Sequence, residues 1–331
     1  MARSEWPLPT VGDIMNTVIG LTYEEDLHAD EVQKDVESKG GTFFRLNTDK
    51  IIGNYNITFY NDQFIIEDNE DTVYVDEDTT VWNRRTLDPD IPDSIDEKVR
   101  PIIETETERA LNGLIESHKG KTVDKKSNIK HANNKITQAR IARQYAGVEV
   151  PDTLITNNPN RVIEFYKNRD EICHKQQQVE IIHEGPANTK MAYTNKVAEE
   201  DLEHADLIDR NPCMFQDYID KDLDVRFTTI EDKVIPVGIY SQESDLSKTD
   251  FRKYDFENVP YEVLDVPDAV EQFCRDMTSH FDLTFSQIDM VKKDDSYYFL
   301  EMNPNGQWLW LQDQTGYKIS EDLAEELTNE A

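Results

Sequence analysis

Two apolar segments near the end of the chain, separated by a polar turn, predict a β-hairpin. Ile288 to Val291 has the pattern of one strand, Lys292 to Ser296 is polar, and Tyr297 to Met302 resumes the strand pattern. Glu301 lies inside the second apolar segment, where an unpaired charge would be strongly unfavourable. This glutamate therefore requires a charged or hydrogen-bonding partner.

The hairpin brings Asp289 together with Glu301 and Asn303. Carboxylate and amide oxygens suit a hard cation such as Mg²⁺, which keeps some of its waters and takes further ligands from substrate phosphates. The three residues are therefore candidate metal ligands, and a nucleotide is implied as the source of the phosphates. The alternative is a surface hairpin whose acidic side chains are solvated, since isolated acids are usually exposed.

Acidic residues greatly outnumber basic residues. The 331 residues include 68 Asp and Glu against 35 Lys and Arg, which gives a formal net charge of −33. A field of this sign repels nucleic acid and anionic membrane surfaces, so neither is a predicted partner. The acids are scattered along the chain, as expected for a solvated acidic surface in a salt-rich cytoplasm. The alternative is an acidic, soluble protein without salt adaptation.

The acid excess predicts how stability depends on salt. If it is an adaptation to salt, the melting temperature is expected to rise from low salt into the molar range, because screening relieves the repulsion among carboxylates. Thermal unfolding followed by circular dichroism measures this dependence. A melting temperature that stays flat or falls over that range would reject the salt-adaptation interpretation.

The cysteines and the N-terminus indicate a cytoplasmic protein. Cys173, Cys213 and Cys274 are far apart and lack metal-ligand spacing, which predicts reduced, buried thiols. The N-terminus has no basic segment followed by a long apolar core, and no run approaches the length of a membrane span. We therefore expect a cytoplasmic location without membrane association.

The order of the N-terminal elements predicts an α/β fold with a mostly parallel sheet. After a flexible leader over residues 1–15, Thr17 to Thr22 is predicted as a strand, Asp26 to Gly40 as a helix and Thr42 to Leu46 as a strand. This order forms a right-handed βαβ unit. A chain of this length should split into two or three domains, and the polar segment from Gly120 to Asn128 is the candidate first boundary.

The rest of the chain also alternates between strand and helix patterns, without internal repeats. Apolar periodicity predicts helices at 96–118, 134–145, 160–168, 268–280 and 320–327, and strands at 55–60, 64–66, 73–75, 80–85, 171–176, 213–219, 224–230 and 234–240.

The segment Phe299 to Trp310, FLEMNPNGQWLW, resembles the terminal metal-binding motif of ATP-grasp ligases. The resemblance is to the branch that matures ribosomal peptides, as in microviridin and related graspetide pathways. The Gln-Trp-Leu-Trp ending makes the resemblance specific to this branch. Thr22 to Val32, Arg45 to Asp49 and Val81 to Arg85 resemble the N-terminal domain of the same branch. The resemblance thus covers nearly the whole chain.

This resemblance implies an ATP-grasp fold, of class α/β (α+β), with an N-terminal α/β pre-ATP-grasp domain. The implied domains are the N-terminal domain over 16–125, a central ATP-grasp subdomain over 126–212 and a C-terminal subdomain over 213–331 with the metal site. It also implies ATP and Mg²⁺ as cofactors, with two ions.

The resemblance further implies roles for individual residues. Lys135 and Lys175 match the two lysines that hold nucleotide phosphates, and residues 183–190 match the loop that covers them. Arg226 and Arg252 are the implied catalytic residues, which hold the transferred phosphate and the acyl intermediate. The other implied nucleotide-binding residues are the adenine hinge Gln216, Asp217, Tyr218 and Ile219, and the ribose-binding Asp224.

Several of these residues also have simpler interpretations. A single lysine is usually exposed, and only the family pattern singles out Lys135 and Lys175. Asp224 and Arg226 are equally typical of a cross-strand or solvated charge pair, which contributes well under about 1 kcal/mol.

The implied reaction converts a side-chain carboxylate into an acyl phosphate, which a hydroxyl or amine then attacks to give an ester or amide. The implied substrate is a ribosomally made precursor peptide with a leader and an acidic core, and the sequence leaves a homodimer open. Two alternatives remain. One is a ligase that joins small amino acids or adds glutamate to a protein, and the other is a non-catalytic, nucleotide-dependent peptide-binding protein.

Arg84 and Arg85 offer positive charge at the end of a predicted strand in the acidic N-terminal domain. We interpret them as groups that attract acidic side chains of the core peptide. The alternative is that they pair with nearby acids such as Asp88 and Asp90.

Overall fold

A computed structural model describes residues 17–177, 181–183, 189–191 and 193–329 of the chain. The chain forms two compact units. The first unit runs up to Ser127 and also includes the chain from Lys318 onward, whereas the second spans Asn128–Tyr317. The division of the second unit into two ATP-grasp subdomains stays a prediction.

Both units contain helices and strands. The helices are α1 (Leu27–Ser38), α2 (Arg100–Ser117), α3 (Lys126–Ala132), α4 (Lys135–Ala142), α5 (Pro159–Lys167), α6 (Asp268–His280), α7 (Leu309–Thr315) and α8 (Ile319–Thr328). The strands are β1 (Thr17–Thr22), β2 (Thr42–Asn47), β3 (Asn56–Tyr60), β4 (Gln63–Glu67), β5 (Thr72–Val75), β6 (Thr80–Asn83), β7 (Thr122–Val123), β8 (Thr153–Thr156), β9 (Ile172–Lys175), β10 (Ile181–His183), β11 (Thr189–Met191), β12 (Asn195–Lys196), β13 (Cys213–Asp217), β14 (Leu223–Ile230), β15 (Lys233–Ile239), β16 (Tyr261–Val263), β17 (Phe285–Lys293) and β18 (Ser296–Asn303).

A four-stranded parallel sheet forms the centre of the first unit, in the order β2-β1-β6-β7. The predicted strand, helix and parallel strand at its start are confirmed as β1, α1 and β2. β1 is buried along its whole length, as expected for a parallel strand covered on both faces. Ile19 and Leu21 pack with Leu114 of α2, while α8 packs against α1, β1 and β6.

A buried charge cluster lies where β1 and β6 end. Asp26 caps α1 by accepting a hydrogen bond from the His28 amide at 3.0 Å, and it accepts another from the Thr22 hydroxyl at 2.8 Å. The buried Arg84 places its Nε 3.5 Å from Asp26 Oδ2. The interpretation of Arg84 as a peptide-attracting surface residue is therefore wrong, because its guanidinium is buried and paired with Asp26. Arg85 is exposed.

The second unit contains one four-stranded and one five-stranded antiparallel sheet. One has the order β12-β9-β13-β8 and the other has the order β16-β15-β14-β17-β18. In the larger sheet, Val225 and Phe227 of β14 point into the main core, where they pack with Phe273 and Met277 of α6. α6 spans the residues predicted for it because its apolar positions, three and four apart, form one buried face.

Apolar periodicity misses two short helices. α3 overlaps the segment interpreted as a polar boundary, and α7 follows the hairpin at residues where no helix is predicted. Both have seven residues, which is about two turns and too short for a clear periodic pattern. α7 ends at Gly316, whose φ of 74° only glycine adopts easily.

The cysteines are free thiols, and two of the three are buried as predicted. Cys213 is half-buried because it lies at the start of β13, so its predicted burial is wrong. Within the described residues, no helix has both the length and the apolar character that a bilayer crossing requires.

Candidate active site

One face of the larger sheet in the second unit carries polar residues, and strand alternation places them there. In β14, Asp224, Arg226 and Thr228 alternate with Val225 and Phe227, which enter the core. The antiparallel registers add residues of β17 and β18 to the same face. Asp289 lies opposite Arg226, Gln287 opposite Thr228, Glu301 opposite Asp289 and Asn303 opposite Gln287.

A β-bulge in β18 determines which hairpin residues face this site. Asp289 pairs with Glu301 and Met290 pairs with Phe299, so Leu300 is the extra residue. Without the bulge, Phe299 and Glu301 would point to the same side of the sheet. The bulge instead sends Phe299 into the core, while Leu300 and Glu301 line the cleft on the polar face.

Asp289 forms a bidentate ion pair with Arg226. Arg226 Nε donates to Oδ1 at 2.6 Å, and Nη2 donates to Oδ2 at 2.7 Å. Asn303 Nδ2 donates to the same Oδ2 at 3.1 Å, which confirms that the hairpin brings Asn303 to Asp289. Burial lowers the pKa of Arg226, but the charge of Asp289 raises it more, so the guanidinium stays protonated.

Glu301 has the partner that its apolar sequence context requires. Lys135, the first residue of α4, donates to the Glu301 carboxylate and to the Gln176 carbonyl oxygen, the latter at 3.2 Å. Burial raises the pKa of Glu301, but the charges of Lys135, Lys175 and Arg252 lower it more, so its pKa lies below the usual range. Glu301 is therefore ionised although it is buried.

Lys175 and Gln216 form the facing wall of the cleft. Lys175 ends β9 and donates to Gln216 Oε1 of β13 at 3.3 Å. Gln216 Nε2 donates in turn to Thr153 Oγ1 at 3.0 Å. Burial lowers the pKa of Lys175, and the charge of Glu301 opposes that shift. Both side chains are buried, and the hydrogen bond to Gln216 holds the Lys175 side chain in place.

The predicted hinge begins in the last two residues of β13, continues through Tyr218 and Ile219, and lines the same cleft. The Asp217 amide donates to the Asp152 carbonyl oxygen and the Tyr218 amide donates to the Glu171 carbonyl oxygen, both at 3.0 Å. Within the described residues, the next amide, that of Ile219, has no hydrogen-bond partner. It is therefore available to a ligand.

Asp224 is buried, and both of its oxygens are engaged. Lys221 Nζ donates to Oδ1 at 2.7 Å, and Ser241 Oγ donates to Oδ2 at 2.6 Å. Burial raises the pKa of Asp224, and Lys221 counteracts this. Sequence reasoning misses both partners, because Lys221 and Ser241 lie in irregular polar segments without a spacing signal.

Arg252 is oriented by Asp250, which sequence reasoning also misses. Arg252 Nε donates to Asp250 Oδ1 at 2.8 Å, and Nη2 donates to Oδ2 at 2.5 Å. The Thr194 amide donates to Asp250 Oδ2 at 2.9 Å. The signal available in the sequence is the spacing, because Asp250 stands only two residues before Arg252.

The predicted site residues thus converge on one cleft of the second unit. Lys135, Arg226 and Asn303 reach it through their contacts with Glu301 and Asp289. The others line it directly: Lys175, Gln216, Asp217, Tyr218, Ile219, Asp224, Arg252, Asp289 and Glu301.

Two family models together match almost the whole chain. Residues 17–130 match the MvdD pre-ATP grasp domain, and residues 132–327 match the RimK-like ATP-grasp domain. The chain belongs to the ATP-grasp family. The fold class and the ligase class predicted from the sequence are thereby confirmed. No curated protein matches the chain significantly.

Solved ATP-grasp structures are similar to this chain over nearly its full length. Macrocyclase MdnC from Microcystis aeruginosa MRC, bound with precursor peptide MdnA, is 28% identical with a TM-score of 0.83, covering 95% of this chain and 99% of that chain. A RiPP-associated ATP-grasp ligase from Chryseobacterium gregarium, in complex with ADP and a leader and core peptide, is 26% identical with a TM-score of 0.84, covering 95% and 96%. ATP-grasp ligase PsnB, complexed with minimal precursor, Mg and ADP, is 18% identical with a TM-score of 0.75, covering 94% and 96%, and supports the fold alone.

The donor set on the polar face of this ATP-grasp protein fits magnesium. Asp289 and Glu301 offer carboxylates and Asn303 offers an amide oxygen, all hard donors on adjacent strands. In the part of the chain that the structure describes, no group of three or more His, Cys, Asp or Glu could hold a metal. The ion would therefore need oxygen atoms from the nucleotide, as is usual for Mg²⁺. The expectation of two ions stays a prediction.

The predicted phosphate-covering loop, residues 183–190, lies largely outside the described residues. The structure describes its flanks, β10 and β11, which pair in antiparallel orientation. The role of the loop stays a prediction.

Lys175→Met is expected to weaken ATP binding about tenfold to a hundredfold if the predicted role of Lys175 holds, because it removes a charged donor from the cleft while keeping the side-chain volume. The affinity for peptide should change little. Calorimetric titration of the two ligands in separate experiments measures this, and Lys130→Met on an exposed face of α3 is the matched control. Equal losses for the two ligands would mean that Lys175 has a structural role.

Proposed function

We propose that this protein is an ADP-forming ligase that acts on a ribosomally made precursor peptide. It activates a side-chain carboxylate with ATP and joins it to a hydroxyl or amine of the same peptide, which closes a macrocycle through an ester or amide. The observation that carries this proposal is that three features meet in one cleft. They are the hinge amide of Ile219, the ion pair of Arg226 with Asp289 and the ion pair of Lys135 with Glu301. The similarity to MdnC and to the Chryseobacterium ligase supports it.

The N-terminal unit separates this function from the alternative ligases. A ligase of small amino acids, or one that adds glutamate to a protein, would share the nucleotide residues but need no peptide-specific N-terminal domain. Residues 17–130 match the MvdD pre-ATP grasp domain, which favours the peptide-maturing branch. The paired carboxylates and cations of the cleft favour catalysis over peptide binding alone.

Nucleotide binding is assigned to the hinge and the lysines. The unpartnered amide of Ile219 would donate to the adenine, and Asp224, fixed by Lys221 and Ser241, would accept from the ribose. Lys135 and Lys175 would hold the phosphates, since an ammonium group is a compact point charge suited to phosphate oxygens.

The reaction proceeds by two displacements. A carboxylate oxygen of the peptide forms a bond to the γ-phosphorus as the bond to ADP breaks, and this yields an acyl phosphate. A hydroxyl or amine then bonds to the acyl carbon as the bond from that carbon to the bridging oxygen breaks. Phosphate leaves with the bridging oxygen, and the proton of the nucleophile passes to solvent. Bound Mg²⁺ on Asp289, Glu301 and Asn303 would neutralise charge on the phosphates.

The two arginines hold the transferring group. A guanidinium binds two oxygens of a phosphate or carboxylate in one plane, so Arg226 and Arg252 can stabilise the charge that develops during both displacements. Asp250 acts as a positioning residue because it fixes the plane of Arg252. Neither displacement requires a covalent bond to a side chain of the protein.

The proposed partner is a precursor peptide with a leader and an acidic core, in the cytoplasm, where the three free thiols would persist. The acidic core fits the arginines and lysines that this acidic protein concentrates in its cleft. A homodimer stays a prediction.

The proposed function is tested with the short peptide encoded beside the gene, chosen for repeated Thr or Ser and Glu or Asp. Incubation with ATP and Mg²⁺ is expected to release ADP and to lower the peptide mass by one water for each link formed. Omission of ATP and an excess of EDTA are the controls. ADP release without a change in peptide mass would contradict the proposal.

A further inference from the structure

Five aromatic side chains form a cluster beside the arginines of the cleft. Trp310 of α7 lies at its centre, and its ring centroid is 6.2 Å from that of Phe251, 5.4 Å from Tyr254, 6.2 Å from Phe256 and 5.7 Å from Tyr261. We call these five residues the aromatic cluster. Its members come from three separate segments, so the fold brings them together.

Part of the aromatic cluster is exposed to solvent. Tyr254 is 38% exposed and Phe256 is 43% exposed, although their rings stack at 5.1 Å with an interplanar angle of 18°. Tyr254 also has a φ of 31°, outside the regions that residues with a side chain prefer. A purely structural role explains the buried Phe251, which packs with Ile239. It does not explain two exposed rings held next to each other.

The aromatic cluster is continuous with the candidate active site. Arg226 Cζ lies 5.2 Å from the centroid of the Phe251 ring and 5.6 Å from that of Trp310, within the range of a cation–π contact. Phe251 and the adjacent Arg252 both line the cleft. The exposed rings therefore extend the cleft with an apolar surface next to its cations.

We infer that the aromatic cluster binds a large apolar or aromatic side chain of the peptide, one or two residues from the carboxylate that is activated. The arginines would attract the acidic side chain, and the rings would bury its apolar neighbour. Phe251 connects the two parts of this surface, because its ring centroid lies 5.2 Å from Arg226 Cζ and 6.2 Å from the centroid of Trp310. Side chains one or two residues apart on an extended peptide, at most roughly 6.6 Å along the strand, therefore match this short spacing between cations and rings. This inference rests on the proposed function and makes the cluster a determinant of substrate specificity.

Two versions of the precursor peptide test this inference. One has Phe and the other Ala two residues from the reacting acid, and kcat/KM is measured for each from the loss of water. We expect a preference for the Phe peptide of about tenfold to a hundredfold, since burial of an aromatic side chain is worth this much. Phe256→Ala is expected to reduce that ratio about tenfold.

A matched control and a conservative variant sharpen the test. Phe59→Ala removes another exposed ring, 60% exposed and in the first unit, and should leave the ratio unchanged. If Phe256→Ala lowers the melting temperature, Phe256→Leu keeps the apolar contact with Trp310 and should retain more of the preference. Equal kcat/KM for the two peptides in the wild-type protein would overturn this inference and leave the proposed function standing. Absence of any loss of water with either peptide would overturn both.

Discussion

Glu301→Gln is expected to lower the rate of ADP formation by about a hundredfold to a thousandfold. The amide keeps the size of the side chain but removes the charge that pairs with Lys135 and that would bind Mg²⁺. Asp289→Asn should have a similar effect, since it removes the other carboxylate of the polar face. ADP release in the presence of Mg²⁺ and peptide measures both variants.

The control for Glu301→Gln is Glu325→Gln, the same chemical change at an exposed position of α8. The melting temperature of Glu325→Gln should equal the wild-type value. Each cleft variant breaks a buried ion pair and should melt at a lower temperature, so circular dichroism at the assay temperature must show that both are still folded before loss of activity is assigned to the site. Turnover near the wild-type rate in both cleft variants would remove the proposed metal site.

Arg84→Met is expected to lower the free energy of unfolding by about 3–5 kcal/mol, because it leaves the carboxylate of Asp26 buried without its guanidinium partner. Burial raises the pKa of Asp26, but the hydrogen bond from His28 and the charge of Arg84 lower it more, so this carboxylate is ionised in the folded protein. Urea unfolding of the wild-type protein and the variant measures the loss.

The double variant Asp26→Asn with Arg84→Met should recover part of this stability. Asparagine is also a good helix cap and carries no charge that needs a partner. Arg85→Met, at the exposed neighbouring residue, is the control and should change the free energy of unfolding by less than about 0.5 kcal/mol. Similar losses in Arg84→Met and Arg85→Met would contradict the role given to the buried pair.

Elements with strong local patterns were predictable from the sequence. β14 alternates acidic, basic and apolar residues with a period of two, so its polar and core faces can be assigned without a structure. The hairpin of β17 and β18 was predictable for the same reason, and with it the proximity of Asp289 and Asn303.

Features that depend on register or on distant contacts were not predictable. The bulge at Leu300 changes which side of the sheet the following residues point to. Nothing in the sequence Tyr-Tyr-Phe-Leu-Glu-Met indicates where this bulge lies. The partner of Glu301 is Lys135, 166 residues away in sequence, and only the packing of α4 brings it near. Arg84 was misread because a buried arginine is rare and the next residue, Arg85, is also charged.

We expect the two ion pairs of the cleft to make metal and nucleotide binding depend on each other. Arg226 forms an ion pair with Asp289, and Lys135 forms an ion pair with Glu301. If these cations turn to phosphate oxygens, both buried carboxylates lose their partners, which is unfavourable unless another cation replaces them. By thermodynamic linkage the dependence is reciprocal, so each ligand raises the affinity for the other. The cleft is therefore expected to select the complex of Mg²⁺ with ATP over free Mg²⁺ or metal-free ATP.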